Sequence, residues 1–275
     1  MRLIDSHAHL QAARFAYDMH SVLTRAQEAG VERLLDPGWD LASSEAAIAL
    51  AERYPWVDAA AGLHPHDAAT VDDAAWEAIA LLASDGRVVA VGETGLDYDR
   101  LFASRDVQLA NLRRHLQLAL SVGKPLILHC RSAPGARDAQ DDLLRELSAA
   151  GVGGGEWVAS FADRPAGILH SFSGPVDYAE AALGMGLAIS ISGLCFRRRE
   201  EATAEVVRLV PADRLLVETD SPYLPPPGAD RRRNEPRWVG ITAHWVAQQR
   251  SDDAERLGDR LVMNYDLVFR SAADR

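Results

Sequence analysis

The chain has 275 residues, 48% of them hydrophobic, enough for one large domain with its own core, which excludes a disordered polymer. Its 40 acidic residues outnumber its 29 basic ones, giving a net charge of −11 that excludes a broad basic coat for nucleic acid. Two cysteines far apart in sequence, Cys130 and Cys195, exclude a disulfide scaffold and a zinc ribbon.

Short apolar runs recur eight times, at 2–5, 33–36, 57–63, 87–92, 125–129, 166–170, 187–190 and 214–218. Each is nearly continuous rather than alternating, as buried parallel strands read. Segments with helical spacing lie between them, at 21–29, 41–53, 74–83, 104–122, 139–150, 176–183 and 200–209, with Gly30, Gly123, Gly151 and Gly184 or Gly186 as terminators. This rhythm predicts a single-domain α/β fold over 1–275, a (β/α)8 TIM barrel. The triple-glycine stretch 151–165 reads as a flexible connector able to alter access to the barrel mouth, and the proline-rich 224–236 as a loop after the last strand. The opening MRLIDSHAHL lacks the features of a signal peptide, and no run of about 18 apolar residues exists, so a cytoplasmic protein without a membrane span is expected.

Ligand-type residues sit at the ends of the apolar runs. His7 and His9 follow the first, and residues two apart in an extended segment point the same way, so both can reach one cation. Glu93, His129, His170 and Asp220 end four later runs. The carboxyl ends of all barrel strands surround one mouth, so these six residues should converge there. His20, His115 and His244 fall in or beside helix-like stretches and read as surface or core. Four imidazoles and two carboxylates suit two divalent ions, with Glu93 as the bridge from the strand opposite the first. A carbamylated lysine cannot bridge, because Lys124 is the only lysine and lies at the start of its run.

The motifs Asp5-Ser-His-Ala-His9, Gly62-Leu-His-Pro-His66, Gly92-Glu-Thr-Gly-Leu-Asp97, Pro125 to Arg131, His170-Ser-Phe-Ser-Gly174, Glu218-Thr-Asp-Ser-Pro222 and Asn234-Glu-Pro236 occur in order along nearly the whole chain. In this the sequence resembles the TatD-type metal-dependent deoxyribonucleases of the amidohydrolase-like barrel superfamily. The resemblance implies that His7, His9, Glu93 and Asp220 hold one metal, that Glu93, His129 and His170 hold the other, and that His64 lies near substrate or its phosphate. It departs from the family pattern at Ser171 and Ser132, where Cys and Asp are frequent.

The expected activity is hydrolysis of DNA, single-stranded or at its ends, by water activated between two ions such as Mg, Mn or Zn. Asp220 and Glu93 are the expected catalytic carboxylates, Asp220 orienting the water and taking its proton, while Glu218 supports the ligands. Arg131, two residues beyond His129, reads either as a phosphate contact or as a salt bridge at the mouth. Arg197-Arg198-Arg199 and Arg231-Arg232-Arg233 either track a nucleic-acid backbone or are solvated surface. The same centre would serve a carbonyl ester or amide hydrolase, in a small molecule or an aminoacyl-RNA, and a non-catalytic scaffold would need none of these ligands. The sequence is compatible with a monomer and leaves the oligomeric state open.

Overall fold

A computed structural model describes residues 1–161, 164–198, 200 and 202–270; Arg199 and Glu201 lie outside the described residues. Eight strands form one parallel sheet in sequential order: β1 (Leu3–Asp5), β2 (Val31–Pro37), β3 (Val57–Ala61), β4 (Val88–Asp97), β5 (Leu126–Arg131), β6 (Gly167–Leu169), β7 (Ala188–Ile191) and β8 (Leu215–Val217). The sheet closes where β8 returns to β1. Ser6 N–H donates to the Val217 carbonyl at 3.1 Å, Asp220 N–H to His7 at 2.9 Å and His9 N–H to Ser221 at 2.7 Å. Every residue of β1, β6, β7 and β8 is buried, so these short strands carry apolar residues on both faces and show no alternation. All eight expected strands are present, and the single-domain (β/α)8 barrel is the observed architecture.

The helices are α1 (Met19–Glu28), α2 (Leu41–Arg53), α3 (Asp73–Ser84), α4 (Arg105–Val122), α5 (Asp138–Ala149), α6 (Gly155–Phe161), α7 (Val176–Gly184), α8 (Thr203–Leu209), α9 (Val239–Arg250) and α10 (Ala254–Phe269). Their ends follow local chemistry. Asp40 caps α2 by accepting the Ser43 N–H at 2.7 Å, and Gly123 ends α4 in the left-handed region at φ 65°. No described helix is long and apolar enough to cross a membrane.

Two features differ from expectation. The stretch 151–165 contains α6, because Trp157 and Phe161, four apart, bury one helical face and stack at 5.5 Å between ring centroids. It lies beside Ala166, Gly186 and Arg214, which precede β6, β7 and β8, and so sits at the end of the barrel opposite the mouth. It cannot gate the mouth. After β8, α9 and α10 complete the outer layer and were not among the expected helices; α10 buries Leu257, Leu261, Val262, Tyr265 and Val268 along one face.

Candidate metal centre

The carboxyl ends of the strands open into a cavity of about 1080 Å³ whose lining includes His9, His64, Glu93, His129, His170 and Asp220. His7 lies just beneath, fully buried. The six residues expected to converge do so.

Glu93 occupies the centre. Its Oε2 lies 3.2 Å from His7 Nε2 and 3.5 Å from His9 Nε2, while its Oε1 lies 2.9 Å from His170 Nε2, 3.0 Å from His129 Nδ1 and 3.3 Å from His64 Nε2. One carboxylate thus presents each oxygen to a different set of imidazoles. Asp220 joins the first set, with Oδ1 3.6 Å from His9 Nε2 and 3.9 Å from His7 Nε2. Ligand atoms bound about 2.0–2.1 Å from a shared cation lie roughly 3 Å apart, which is the spacing seen here. The donor types suit a divalent ion, with Nε2 of both His7 and His9 turned toward Glu93 Oε2. The residues therefore fit metal ions.

The backbone explains why Glu93 reaches the centre. The expected fourth strand ends at Gly92, yet β4 continues to Asp97. It does so through a bulge, because Val91 pairs with Leu126 and Thr94 with Leu128, leaving three steps on β4 against two on β5. A Cβ at Gly95, where φ is 137°, would run into the His129 carbonyl, so only glycine lets the strands approach this closely. On the other side, Asp5 clasps the segment bearing Asp220, accepting Thr219 N–H at 2.9 Å and Thr219 Oγ1–H at 2.6 Å. Asp220 itself is held at φ 54°.

Hydrogen bonds around the rings set their tautomers. His170 Nδ1–H donates to Glu218 Oε1 at 3.2 Å, which turns Nε2 toward Glu93 as the atom open to a cation. His129 Nε2–H donates to Asp97 Oδ2 at 3.3 Å, which turns Nδ1 inward to Glu93 Oε1. His64 is the reverse: its Nδ1 accepts His66 N–H at 3.1 Å, so Nε2 carries the proton and donates inward. Burial drives His9 down to about 3 and His64 down to about 4, so both are neutral at pH 7. Burial also acts on His129 and His170, but Asp97 and Glu93 outweigh it for His129, and Glu93 and Glu218 for His170; both are raised. Glu93 is held well below the usual range against its burial by His170, His64 and His7, whereas Asp220 is pushed well above it, chiefly by burial.

A family model described as TatD related DNase matches residues 4–270. The chain belongs to the TatD-related DNase family. It is 35% identical over 272 residues to the 3'-5' ssDNA/RNA exonuclease TatD of Escherichia fergusonii, covering 97% of this chain and 98% of that one. It is 34% identical over 270 residues to the uncharacterized metal-dependent hydrolase YabD of Bacillus subtilis, covering 98% and 99%. The crystal structure of the TatD homologue YJJV from Escherichia coli superposes with a TM-score of 0.84 at 29% identity, over 98% of both chains.

In this TatD-family chain the remaining histidines behave as expected: His20 and His244 are exposed and His115 is a core residue whose Nε2 accepts Leu63 N–H at 3.0 Å. Lys124 donates to the Ala83 and Asp85 carbonyls at 2.8 and 2.6 Å, below the barrel and away from the mouth. Arg131 lines the cavity and pairs with Asp99 at 2.7 Å. The arginine clusters divide. Arg197, Arg198 and Arg231 line the mouth, and among the described residues none is in an ion pair. Arg233 turns away to Asp18 and Glu235, at 2.8 and 2.9 Å. Glu200 accepts from Ser173 Oγ at 2.9 Å rather than meeting an arginine. Cys130 is half-buried beside Tyr178 and among the residues lining the cavity, its thiol pushed up to about 12 by burial.

Two participants, Asp97 and His66, were not singled out from the sequence. Asp97 is fully buried and accepts from both His66 Nε2, at 2.7 Å, and His129. The signal was available: Glu93, Gly95 and Asp97 alternate along one strand, as do His64 and His66 in their loop.

Proposed function

We propose that this protein is a nuclease that hydrolyses phosphodiester bonds in DNA with two divalent cations. His7, His9, Glu93 and Asp220 would hold one, and Glu93, His129 and His170 the other. The observation that carries this is Glu93, whose two oxygens address two separate imidazole sets. Bound there, the cations would supply an acidified water and neutralise charge developing on the phosphate oxygens.

The chain's own groups do the rest. Asp220 orients the attacking water and accepts its proton. His64, with Nε2–H directed inward, donates to a phosphate oxygen and is a substrate contact rather than a ligand. Arg131 places a guanidinium by the phosphate while Asp99 fixes its position. Glu218 and Asp97 orient His170 and His129. Glu218→Gln should lower metal affinity about 10- to 100-fold by removing the charge behind His170, as read by metal titration of the purified chain.

Arg197, Arg198 and Arg231 give an acidic protein a local cationic rim for a single strand or a strand end. The magnesium, manganese or zinc form is the working enzyme, and a monomer in the cytoplasm suits a single-chain ligand set with two free thiols. The test is to reload demetallated protein with each ion and assay single-stranded DNA beside a panel of carbonyl esters and amides. DNA cleavage is expected, with affinity falling as salt rises at a log–log slope of about −2 for three phosphate contacts. Turnover confined to the esters or amides would replace the nuclease with a carbonyl hydrolase, and a flat salt response would remove the arginines' role.

A further inference from the structure

Among the described residues, the exposed large hydrophobic side chains lie either on helices or on loops. Those on helices are aliphatic: Leu81, Val158, Leu209 and Met263. The others, Tyr17, Leu101, Phe102 and Tyr223, lie on loops that follow β1, β4 and β8, and three of these four are aromatic. Tyr223 is 50% exposed and Phe102 66% exposed, so neither ring is committed to the barrel's packing.

Two of these rings touch histidines that line the cavity, from opposite directions. In a closed barrel of eight sequential strands, β8 and β4 face each other across the axis. Tyr223, after β8, contacts His9 with ring centroids 6.0 Å apart and planes at 73°. Phe102, after β4, contacts His66 at 4.8 Å and 77°. Arg14 Cζ lies 5.6 Å from the Tyr223 centroid, and Arg100, two residues before Phe102, lines the cavity on the other side. A flat apolar face beside a guanidinium, repeated on both sides of a phosphate-handling centre, matches the chemistry of a nucleotide: base on ring, phosphate on arginine.

We propose that Tyr223 and Phe102 are stacking platforms for the two bases that flank the scissile phosphate, so that the substrate is a strand whose bases are unpaired at that point; this rests on the nuclease function above. Bases within a duplex already stack on one another and offer no free face, so the two rings select single strands or frayed ends without reading sequence.

The test pairs ring deletion with base deletion in the metal-loaded protein. Oligonucleotides carrying an abasic residue on either side of the cleaved bond are compared with the intact strand, using the parent chain, Tyr223→Ala, Phe102→Ala and the conservative Tyr223→Phe and Phe102→Tyr. The parent should lose roughly tenfold in kcat/KM on an abasic strand, each alanine variant should lose roughly tenfold on the intact strand, and the matching ring and base deletions together should cost no more than either alone. The conservative variants should keep parental rates. A 2-aminopurine at the same positions should be quenched on binding to the parent and not to the matching alanine variant. Cleavage of every strand at parental rates by both alanine variants, or losses that multiply, would overturn the platforms and leave the nuclease standing. Failure to cleave any nucleic acid would overturn both.

Discussion

Asp220→Ala should lose turnover by about 10³- to 10⁴-fold while the barrel stays folded. The segment that carries Asp220 is held by other groups: Asp5 on Thr219, and the Asp220 N–H on the His7 carbonyl. Nothing in that clasp uses the Asp220 carboxyl. Stability should move the other way from activity. Burial raises the carboxyl well above its ordinary value, so the folded state disfavours its charge at every pH above the unfolded value near 4. The metal-free parent should therefore gain stability as pH falls from 7 toward 4, and Asp220→Asn should be at least as stable as the parent at pH 7 and lack that component. Thermal unfolding of both chains in chelator at the two pH values measures this. Near-parental turnover in the alanine variant would reject Asp220 as the base.

Glu93→Ala should be the more damaging change, because one side chain serves both sets of imidazoles. Metal content should fall from two ions per chain to fewer than one, read by elemental analysis of the dialysed protein, with activity lost at least as fully as for Asp220→Ala. Its stability effect should be opposite in sign. Glu93 is an anion kept charged by His170, His64 and His7, so its folded value lies below the unfolded one and it stabilises the metal-free fold above about pH 4, losing that contribution as pH falls. Removing one member of such a buried set costs about 3–5 kcal/mol, or roughly 6–20 °C in Tm for a chain of this size. Two carboxylates facing the same pair of histidines would thus give opposite Tm shifts when removed. A Glu93→Ala chain that binds two ions at parental affinity would sink the bridging geometry.

Much of this centre was legible because a parallel barrel writes its geometry into the chain. Strands buried on both faces read as short unbroken apolar runs, and one end of every run opens on the same mouth, so His7, His129, His170 and Asp220 could be collected by position alone. What escaped was backbone that departs from regularity. Gly92 and Gly95 look like strand terminators in sequence, yet they permit the bulge that carries β4 on to Asp97, and with it the Asp97–His129 and Asp97–His66 pairs. Likewise Gly153, Gly154 and Gly155 suggested a flexible connector, whereas the Trp157–Phe161 stack pins a short helix at the far end of the barrel. Glycine content alone does not separate a hinge from a close approach of two backbones.

The seam between the first and last strands has an outcome for biosynthesis. His7 and His9 follow the first strand, but the carboxylate and backbone that complete their half of the cup come from residues 215–221, made more than two hundred residues later. A nascent chain lacking them has an open sheet edge at β1 and only the Glu93, His129 and His170 portion assembled. A chain cut short before β8 would keep only that partial ligand set, so it should bind fewer ions than the closed barrel.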